Sequence, residues 1–180
     1  TPRVISYRKH GQSASMLIEH LAGLTFEQVL LHESHRVMKE SLAQLNKTMA
    51  RVWQETRSGK PVAAGFMQQL SRRLEDVYKI HPEFRQRECT ICGHTVPSYG
   101  TLLKKARNRE TQISQPFSVY IHGDFNVDNI IYDPASRKIS FIDLHLSRYL
   151  DYVQDVSVFM GSNYTVHIFD PRLRRRLHRR

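Results

Sequence analysis

The chain has 180 residues, of which 40% are hydrophobic and 24% are charged, and its formal net charge is +10. This composition is typical of a globular protein and excludes a disordered one. No run of about 18 apolar residues occurs, which excludes a transmembrane helix. The two cysteines lie in one short stretch, so the sequence predicts no disulfide scaffold and favours a cytoplasmic location.

The two ends of the chain carry separate signals. The N-terminus has neither an initiator methionine nor a signal-peptide pattern, so we expect a piece of a longer protein. The last ten residues contain no acid and supply six of the ten net positive charges, through Arg172, Arg174, Arg175, Arg176, Arg179 and Arg180. Such an end can bind nucleic acid or anionic lipid, but it is more often a solvated helix or a partner of acidic residues. Nucleic acid is therefore not an expected partner.

Two apolar runs at the N-terminus, residues 4–8 and 15–21, predict a pair of strands. Residues 9–12 separate them, which places Lys9 in the turn. After Gly23, Thr25 is a suitable N-cap for a helix that has Glu27 and Gln28 in its first turn.

Three longer helices are predicted next. Residues 34–55 carry an apolar stripe at helical spacing, which we expect to lie in the core. Residues 64–80 form the second helix. The third, residues 98–113, has a weaker stripe and a basic face of Lys104, Lys105, Arg107 and Arg109.

A Cys-x-x-Cys motif lies between the second and third helices. Cys89 and Cys92 precede Gly93 and His94, a pattern that can form half of a zinc site, and His81 lies upstream. The other half lacks a recognisable zinc spacing. We therefore favour two reduced cysteines in a connection between helices, with zinc as the alternative.

A β-hairpin is predicted in the second half of the chain. Residues 129–132 and 139–142 are short apolar segments on either side of a turn containing Asp133 and Pro134. Asp124 and Asn129 come before or at the start of the first strand and Asp143 follows the second, so antiparallel pairing brings all three to one end. Oxygen ligands in this arrangement suit Mg²⁺ together with substrate phosphates. Taken singly, Asp and Asn are also favoured in turns for structural reasons.

The last predicted helix contains an apolar stretch that begins at Val156. We expect residues 161–163, Gly-Ser-Asn, to end it. A short apolar segment at residues 166–169 and a helix start or turn at Asp170 and Pro171 follow.

The order of the polar residues around the hairpin resembles the aminoglycoside phosphotransferase and choline kinase family. The chain has His122-Gly123-Asp124, then Asn129, then Ile142-Asp143, and later Asp151 and Asp155. An Asp with an Asn five residues later and a second Asp beyond a hairpin is the layout of a kinase catalytic loop and its metal-binding Asp. Protein kinases usually have Arg where this chain has Gly123. The family often has Gly-Asp-Pro where this chain has Leu-Asp-Tyr at residues 150–152, which leaves the role of Asp151 open.

The resemblance implies an α+β, protein-kinase-like fold. Residues 1–23 would be a remnant of the N-terminal lobe and the hinge, and residues 24–180 the mainly helical C-terminal lobe with a catalytic β-hairpin. Most of the N-terminal lobe, with its phosphate-covering loop and lysine, would be missing. Backbone groups of Glu19, His20 and Leu21 would bind the edge of the nucleotide base.

The resemblance also implies a role for each motif residue. Asp124 would be the catalytic carboxylate that accepts or orients the proton of the attacking hydroxyl, and His122 would belong to the catalytic set by bracing the loop. Asn129 and Asp143 would hold Mg²⁺ against the phosphates of ATP or GTP. Asp155 would start a helix and anchor the backbone of the loop.

The implied function is a Mg²⁺-dependent kinase that moves the γ-phosphoryl group of ATP or GTP to a hydroxyl of a small molecule. Catalysis would depend on positioning and on charge neutralisation by the metal. A catalytically inactive, pseudokinase-type interaction module is the alternative, because no Gly-rich loop is visible. Residues 85–109 are basic on balance, which favours an anionic or neutral acceptor over an aminoglycoside.

Overall fold

The computed structural model describes residues 1–63, 65–166 and 171. The described residues form five α-helices and eleven short strands, which confirms the α+β class. The helices are α1 (Phe26–His32), α2 (His35–Glu55), α3 (Phe66–Ile80), α4 (Tyr99–Glu110) and α5 (Val153–Thr165). The strands are β1 (Val4–His10), β2 (Ser13–Ile18), β3 (Leu24–Thr25), β4 (Val62–Ala63), β5 (Cys89–Ile91), β6 (His94–Val96), β7 (Ser114–Gln115), β8 (Val119–Ile121), β9 (Ile130–Asp133), β10 (Lys138–Phe141) and β11 (Arg148–Leu150).

The chain divides into two compact units. One consists of Thr1–Ser58 and the segment from Val119 onward, and the other of Gly59–Ser118. The first unit contains the predicted catalytic hairpin. The boundary predicted at residue 23 stays a prediction.

The N-terminal strands β1 and β2 pair antiparallel as predicted, but their turn is shorter. His10 pairs with Ser13, so the turn contains only Gly11 and Gln12, with Gly11 in the left-handed region at φ 58°. The placement of Lys9 in the turn is therefore wrong: it lies in β1 opposite Ala14. A glycine in this conformation closes a tight turn without steric cost, which leaves more residues for the strands.

The second strand ends at Ile18, so the prediction that it continues to Leu21 is also wrong. Beyond the strand, the Glu19 N–H donates to the Arg3 carbonyl at 2.8 Å. The Glu19 carboxylate accepts from the Arg3 N–H at 3.1 Å. These two bonds close the open end of the hairpin.

Helices α1 and α2 begin where the sequence predicts. Thr25 caps α1 in a reciprocal arrangement with Gln28, and Ser34 caps α2 by accepting from the Val37 N–H. The apolar stripe of α2 lies in the core as predicted, with Met38, Leu45 and Met49 buried. They join a cluster that includes residues of α1 and β9.

The hairpin β9–β10 extends into a three-stranded sheet through β3. Leu24 and Thr25 pair with Tyr132 and Ile131 of β9. Just before β3, Gly23 has φ 122°, and a Cβ there would collide with the Tyr132 carbonyl. Only glycine allows this close approach, which attaches the segment after β2 to the hairpin.

The second unit has fewer buried residues than the first. Neither α3 nor α4 contains a buried residue. Helix α3 begins at Phe66, and Ala64, where the sequence predicted its start, lies outside the described residues. Helix α4 is capped by Ser98 and ends at Glu110, earlier than predicted. The Met67 N–H donates to the Glu110 carboxylate at 2.9 Å and links the two helices.

The cysteine motif lies in the connection between α3 and α4, as predicted, and forms a β-hairpin there, β5–β6. Cys92 and Gly93 occupy the turn with φ values of 49° and 80°, which matches the requirement of a tight hairpin for two left-handed residues. Both cysteines are free. Within the described ranges, no three His, Cys, Asp or Glu side chains cluster as metal ligands, which gives the zinc alternative no support.

The last helix, α5, is longer than predicted at both ends. It begins at Val153 because the Asp151 carboxylate accepts from the Val153 N–H at 3.0 Å. It continues past residues 161–163 to Thr165, and Ser162 and Asn163 instead donate back to the Phe159 carbonyl. The segment 167–170 and the arginine-rich end lie outside the described residues. None of the described helices is long and apolar enough to cross a membrane.

Candidate active site

The hairpin β9–β10 brings the predicted metal ligands to one end, as the antiparallel register requires. Phe141 pairs with Ile130, and the next residue, Ile142, donates its N–H to the Asn129 carbonyl at 3.1 Å. Asp143 follows directly. The residue before Asp143 is thus bonded to the backbone of Asn129.

The opposite end of the hairpin is stabilised by Asp133. Its carboxylate accepts from the Ala135 N–H at 3.0 Å and from the Ser136 hydroxyl at 2.5 Å. The Ser136 bond first, and then the Ala135 bond, lower the pKa of Asp133. This turn fixes the register that aligns Asn129 with Ile142.

Asp124 and Asn129 are in direct contact. The Asn129 side-chain amide donates to the Asp124 backbone carbonyl at 2.9 Å and to its carboxylate at 3.2 Å. Asn126 holds the intervening turn by accepting from the Asp128 and Asn129 N–H groups. Since Nδ2 of Asn129 faces Asp124, Oδ1 is the atom that remains to coordinate a cation.

Asp143 has an unusual backbone conformation, with φ 60° and ψ 54°. The left-handed region costs a non-glycine residue about 1–2 kcal/mol, although Asp tolerates it better than most residues. Such outliers concentrate at functional sites. The side chain is 54% exposed, and one of its oxygens contacts Nδ1 of His145 at 2.7 Å. His145 carried no signal in the sequence.

His122 is buried beneath the loop, and both of its ring nitrogens are engaged. Nε2 lies 2.9 Å from the Ile142 carbonyl, which can only accept, and Nδ1 accepts from the Asp124 N–H at 3.4 Å. Both contacts are satisfied when the proton is on Nε2. The ring also packs against Phe125, with centroids 5.7 Å apart. His122 therefore connects the loop to the end of the hairpin.

Gly123 adopts φ 88°, and a Cβ at this position would collide with the backbone of Leu146. A side chain such as the Arg of protein kinases cannot be accommodated by this backbone. The glycine therefore determines how closely the segment after β10 packs on the catalytic loop.

Asp155 anchors the loop from α5. Its side chain is fully buried, and its two oxygens accept from the His122 N–H at 2.8 Å and the Gly123 N–H at 2.9 Å. Burial raises the pKa of Asp155, and the two N–H bonds and His122 oppose the shift without cancelling it. Asp155 therefore anchors the backbone of the catalytic loop, as the resemblance implied.

Two further side chains hold the loop and were missed in the sequence. The Ser147 hydroxyl donates to the His122 carbonyl at 3.0 Å. The Gln154 amide donates to the Gly123 carbonyl at 3.2 Å. Ser147 reaches the loop because β11, which was not predicted, pairs with β8.

Glu19, His20 and Leu21 lie between β2 and β3, and their role in nucleotide binding stays a prediction.

Comparison with known proteins shows the family of this chain. A sequence profile of the phosphotransferase enzyme family matches residues 1–180. The chain belongs to this family. The resemblance predicted from the order of the motif residues is thereby confirmed.

Solved structures of the phosphotransferase enzyme family share the fold. The aminoglycoside phosphotransferase APH(3'')-Id from Streptomyces rimosus, in complex with ADP and streptomycin, superposes with a TM-score of 0.62 at 21% identity, over 99% of this chain and 66% of that one. A second structure of that enzyme gives a TM-score of 0.58 at 20% identity, over 99% and 65% of the two chains. The chain thus spans just under two thirds of the length of these neighbours. No curated protein sequence matches it.

The structure shows the contacts of Asp151, whose role the sequence left open. Asp151, which lies in a Leu-Asp-Tyr sequence, is buried and accepts from the N–H of the first residue of α5. Its backbone carbonyl accepts from the Gln154 N–H at 3.1 Å. Asp151 therefore starts the helix that carries Gln154 and Asp155.

Proposed function

We propose that this chain is the catalytic part of a Mg²⁺-dependent kinase that transfers the γ-phosphoryl group of ATP or GTP to a hydroxyl of a small molecule. The observation that carries the proposal is the bond between the Asn129 amide and the Asp124 carboxylate, at the end of the hairpin that leads into Asp143. Residues 24–180 would form the C-terminal lobe of this enzyme, and residues 1–23 would be a remnant of the N-terminal lobe and the hinge.

The donor atoms at this end of the hairpin fit Mg²⁺. Oδ1 of Asn129 and the carboxylate of Asp143 are hard oxygen ligands, and Mg²⁺ commonly takes one or two such protein ligands with phosphates and water. Asp143 directly follows Ile142, whose N–H donates to the Asn129 carbonyl, and its left-handed backbone is a conformation that often occurs at functional sites. The ion, when bound, supplies charge neutralisation on the phosphates.

Asp124 is the candidate catalytic carboxylate. It is half-buried, and its backbone is fixed by Asn126, Asn129 and His122. A carboxylate held in this way can accept or orient the proton of an attacking hydroxyl without reorganising.

The nucleotide and the acceptor are proposed from the structural neighbour, from the resemblance and from the charge of the sequence. The neighbour from Streptomyces rimosus binds ADP and streptomycin, which supports a nucleotide and a hydroxyl-bearing acceptor here. The base would be bound by backbone groups of Glu19, His20 and Leu21. The basic residues 85–109 favour an anionic or neutral acceptor. A cytoplasmic location is proposed from the two reduced cysteines.

A second candidate function is a pseudokinase-type interaction module. It predicts that the chain transfers no phosphoryl group to any acceptor.

Phosphoryl transfer from Mg²⁺-ATP and Mg²⁺-GTP to a panel of hydroxyl compounds, water included, tests the proposal. Asp124→Asn should lower kcat by about 100-fold or more, because the side chain loses its capacity to take a proton. Asp128→Asn is the matched control, since Asp128 is an exposed residue of the same loop. Equal turnover in Asp124→Asn and the wild type would contradict the assignment. Absence of turnover with every acceptor would favour the interaction module.

A further inference from the structure

The catalytic loop turns at Gly123, and both peptide groups next to this glycine are held by side chains. The first peptide group contributes the His122 carbonyl and the Gly123 N–H, and the second contributes the Gly123 carbonyl and the Asp124 N–H. All four of these polar groups are hydrogen bonded. No regular secondary structure spans the turn, so side chains fix its backbone.

The first peptide group is bound at both ends. Ser147 donates to the His122 carbonyl at 3.0 Å, and Asp155 accepts from the Gly123 N–H at 2.9 Å. Rotation of this group about the chain axis would break both bonds and leave a donor and an acceptor facing the wrong partners.

The second peptide group is bound in the same way. Gln154 donates to the Gly123 carbonyl at 3.2 Å, and Nδ1 of His122 accepts from the Asp124 N–H at 3.4 Å. The His122 contact is the longest of the four, so the Gln154 bond is the better constraint on this group. This peptide group leads directly into the Cα of Asp124.

The glycine makes such constraints necessary. Gly123 has φ 88°, a conformation that residues with a side chain rarely adopt, and a Cβ here would also collide with Leu146. A glycine backbone, however, has many alternative conformations. A peptide rotation here would reorient the Asp124 side chain. A misplacement of about 1 Å in a catalytic group can cost about 100-fold in rate.

The hydrogen bond of the Gln154 side chain to the loop is made by its N–H group alone. The Oε1 atom of its amide is buried and has no hydrogen-bond partner among the described residues. A buried acceptor without a partner lowers stability, so packing alone favours an apolar side chain at this position. The amide N–H group reaches the Gly123 carbonyl, a contact that an apolar side chain cannot make.

We propose that Ser147 and Gln154 are positioning residues, which hold the two peptide groups around Gly123 and so fix the orientation of Asp124. The inference rests on the proposed function for its kinetic consequence and on the structure alone for its effect on the loop.

Two variants and their controls test the role. Ser147→Ala removes the hydroxyl, and Ser147→Thr retains it. Gln154→Met removes both the donor and the unpaired acceptor at nearly constant volume. The matched controls lie on α5, where Ser162 and Asn163 donate to the Phe159 carbonyl away from the loop, so Ser162→Ala and Asn163→Leu remove the same kinds of bond.

The first measurement is amide hydrogen exchange of the full chain by NMR. Ser147→Ala and Gln154→Met should exchange the Gly123 and Asp124 amides about tenfold faster than the wild type, because local opening becomes easier. Ser147→Thr, Ser162→Ala and Asn163→Leu should leave these two amides unchanged. Unchanged exchange in both Ser147→Ala and Gln154→Met would overturn the inference, whatever the activity of the chain.

The second measurement is steady-state kinetics. The two variants should lower kcat by about tenfold or more and leave the KM for the nucleotide within about twofold, because the loss is in orientation. Gln154→Met should leave the unfolding temperature unchanged, whereas substitution of a residue with a purely structural role would lower it. If Asp124→Asn abolishes turnover and Gln154→Met does not change it, the positioning role fails while the proposed function stands. If the wild type has no turnover, the proposed function fails and the exchange result decides the inference.

Discussion

At the scale of single residues, the buried carboxylate of Asp155 on α5 holds the catalytic loop. It receives the N–H groups of His122 and Gly123. Asp155→Asn keeps its size, but its NH₂ group must face one of the two N–H donors. We expect the free energy of unfolding to fall by about 1–3 kcal/mol at pH 5, the cost of one buried unsatisfied donor. Chemical denaturation of the variant beside Asp128→Asn measures this loss.

The raised pKa of Asp155 adds a dependence on pH. A carboxyl group with a higher pKa in the folded state binds more protons there than in the unfolded state, whose pKa is about 3.9. Its contribution to stability is complete below that value and is lost as the pH rises through the folded pKa. The advantage of the wild type over Asp155→Asn should therefore narrow as the pH increases from about 4. An advantage that grows with pH would show that the two N–H bonds outweigh burial.

The sequence predicted candidate residues that occur in a recognisable order and gave no signal for the residues that contact the loop only through the tertiary fold. Asp124, Asn129 and Asp143 follow the spacing of a known loop. Ser147 and Gln154 are ordinary polar residues in sequence, and only the β8–β11 pairing and the start of α5 bring them to the loop. The left-handed backbone of Asp143 also had no signal in sequence.

At the scale of elements, the two hairpins of the first unit differ in burial. All residues of β1 and β2 are exposed, whereas Ile130 and Tyr132 of β9 and Ile139 of β10 are buried. An isolated two-stranded hairpin is marginally stable in water. Amides of β1 and β2 should therefore exchange at least about 100-fold faster than those of β9 and β10.

Hydrogen exchange of the wild-type chain measures this difference directly, and the pair β5–β6 serves as a second exposed hairpin for comparison. Equal protection in β1–β2 and β9–β10 would contradict the expectation. It would mean that a surface outside the described contacts covers the N-terminal strands.

The prediction of helices and strands succeeded where apolar residues recur at a constant spacing over a long segment. Helix α2 has a stripe that is apolar over 21 residues, and its caps are ordinary Ser and Thr side chains. The errors fell at turns and ends. Gly11 closed a shorter turn than residues 9–12 suggested, and the β5–β6 hairpin depended on a left-handed Cys92, a conformation that a cysteine seldom adopts. Gly161 did not stop α5, because Ser162 and Asn163 bond within the helix.

At the scale of the whole molecule, the fold brings Asn129, which precedes β9, and Asp143, which follows β10, to the same end of one hairpin. The first unit contains this hairpin, and the second, Gly59–Ser118, contains the basic residues 104–109. The overall class was predictable because the motif residues belong to a known family. The division into units was not, since it depends on how β4 and β7 pair across about 50 residues of chain.

The measurement that tests the central claim most directly is Mg²⁺-dependent binding of ATP and GTP to the chain, followed by calorimetry. Binding should require Mg²⁺, and Asp143→Asn should weaken it by about tenfold or more, as expected for loss of a metal ligand. Asn tolerates the left-handed backbone, so the variant should stay folded, and Asp128→Asn should bind like the wild type. Nucleotide binding that is the same without Mg²⁺, or the same in Asp143→Asn, would contradict the assignment of this hairpin as the metal and phosphate site.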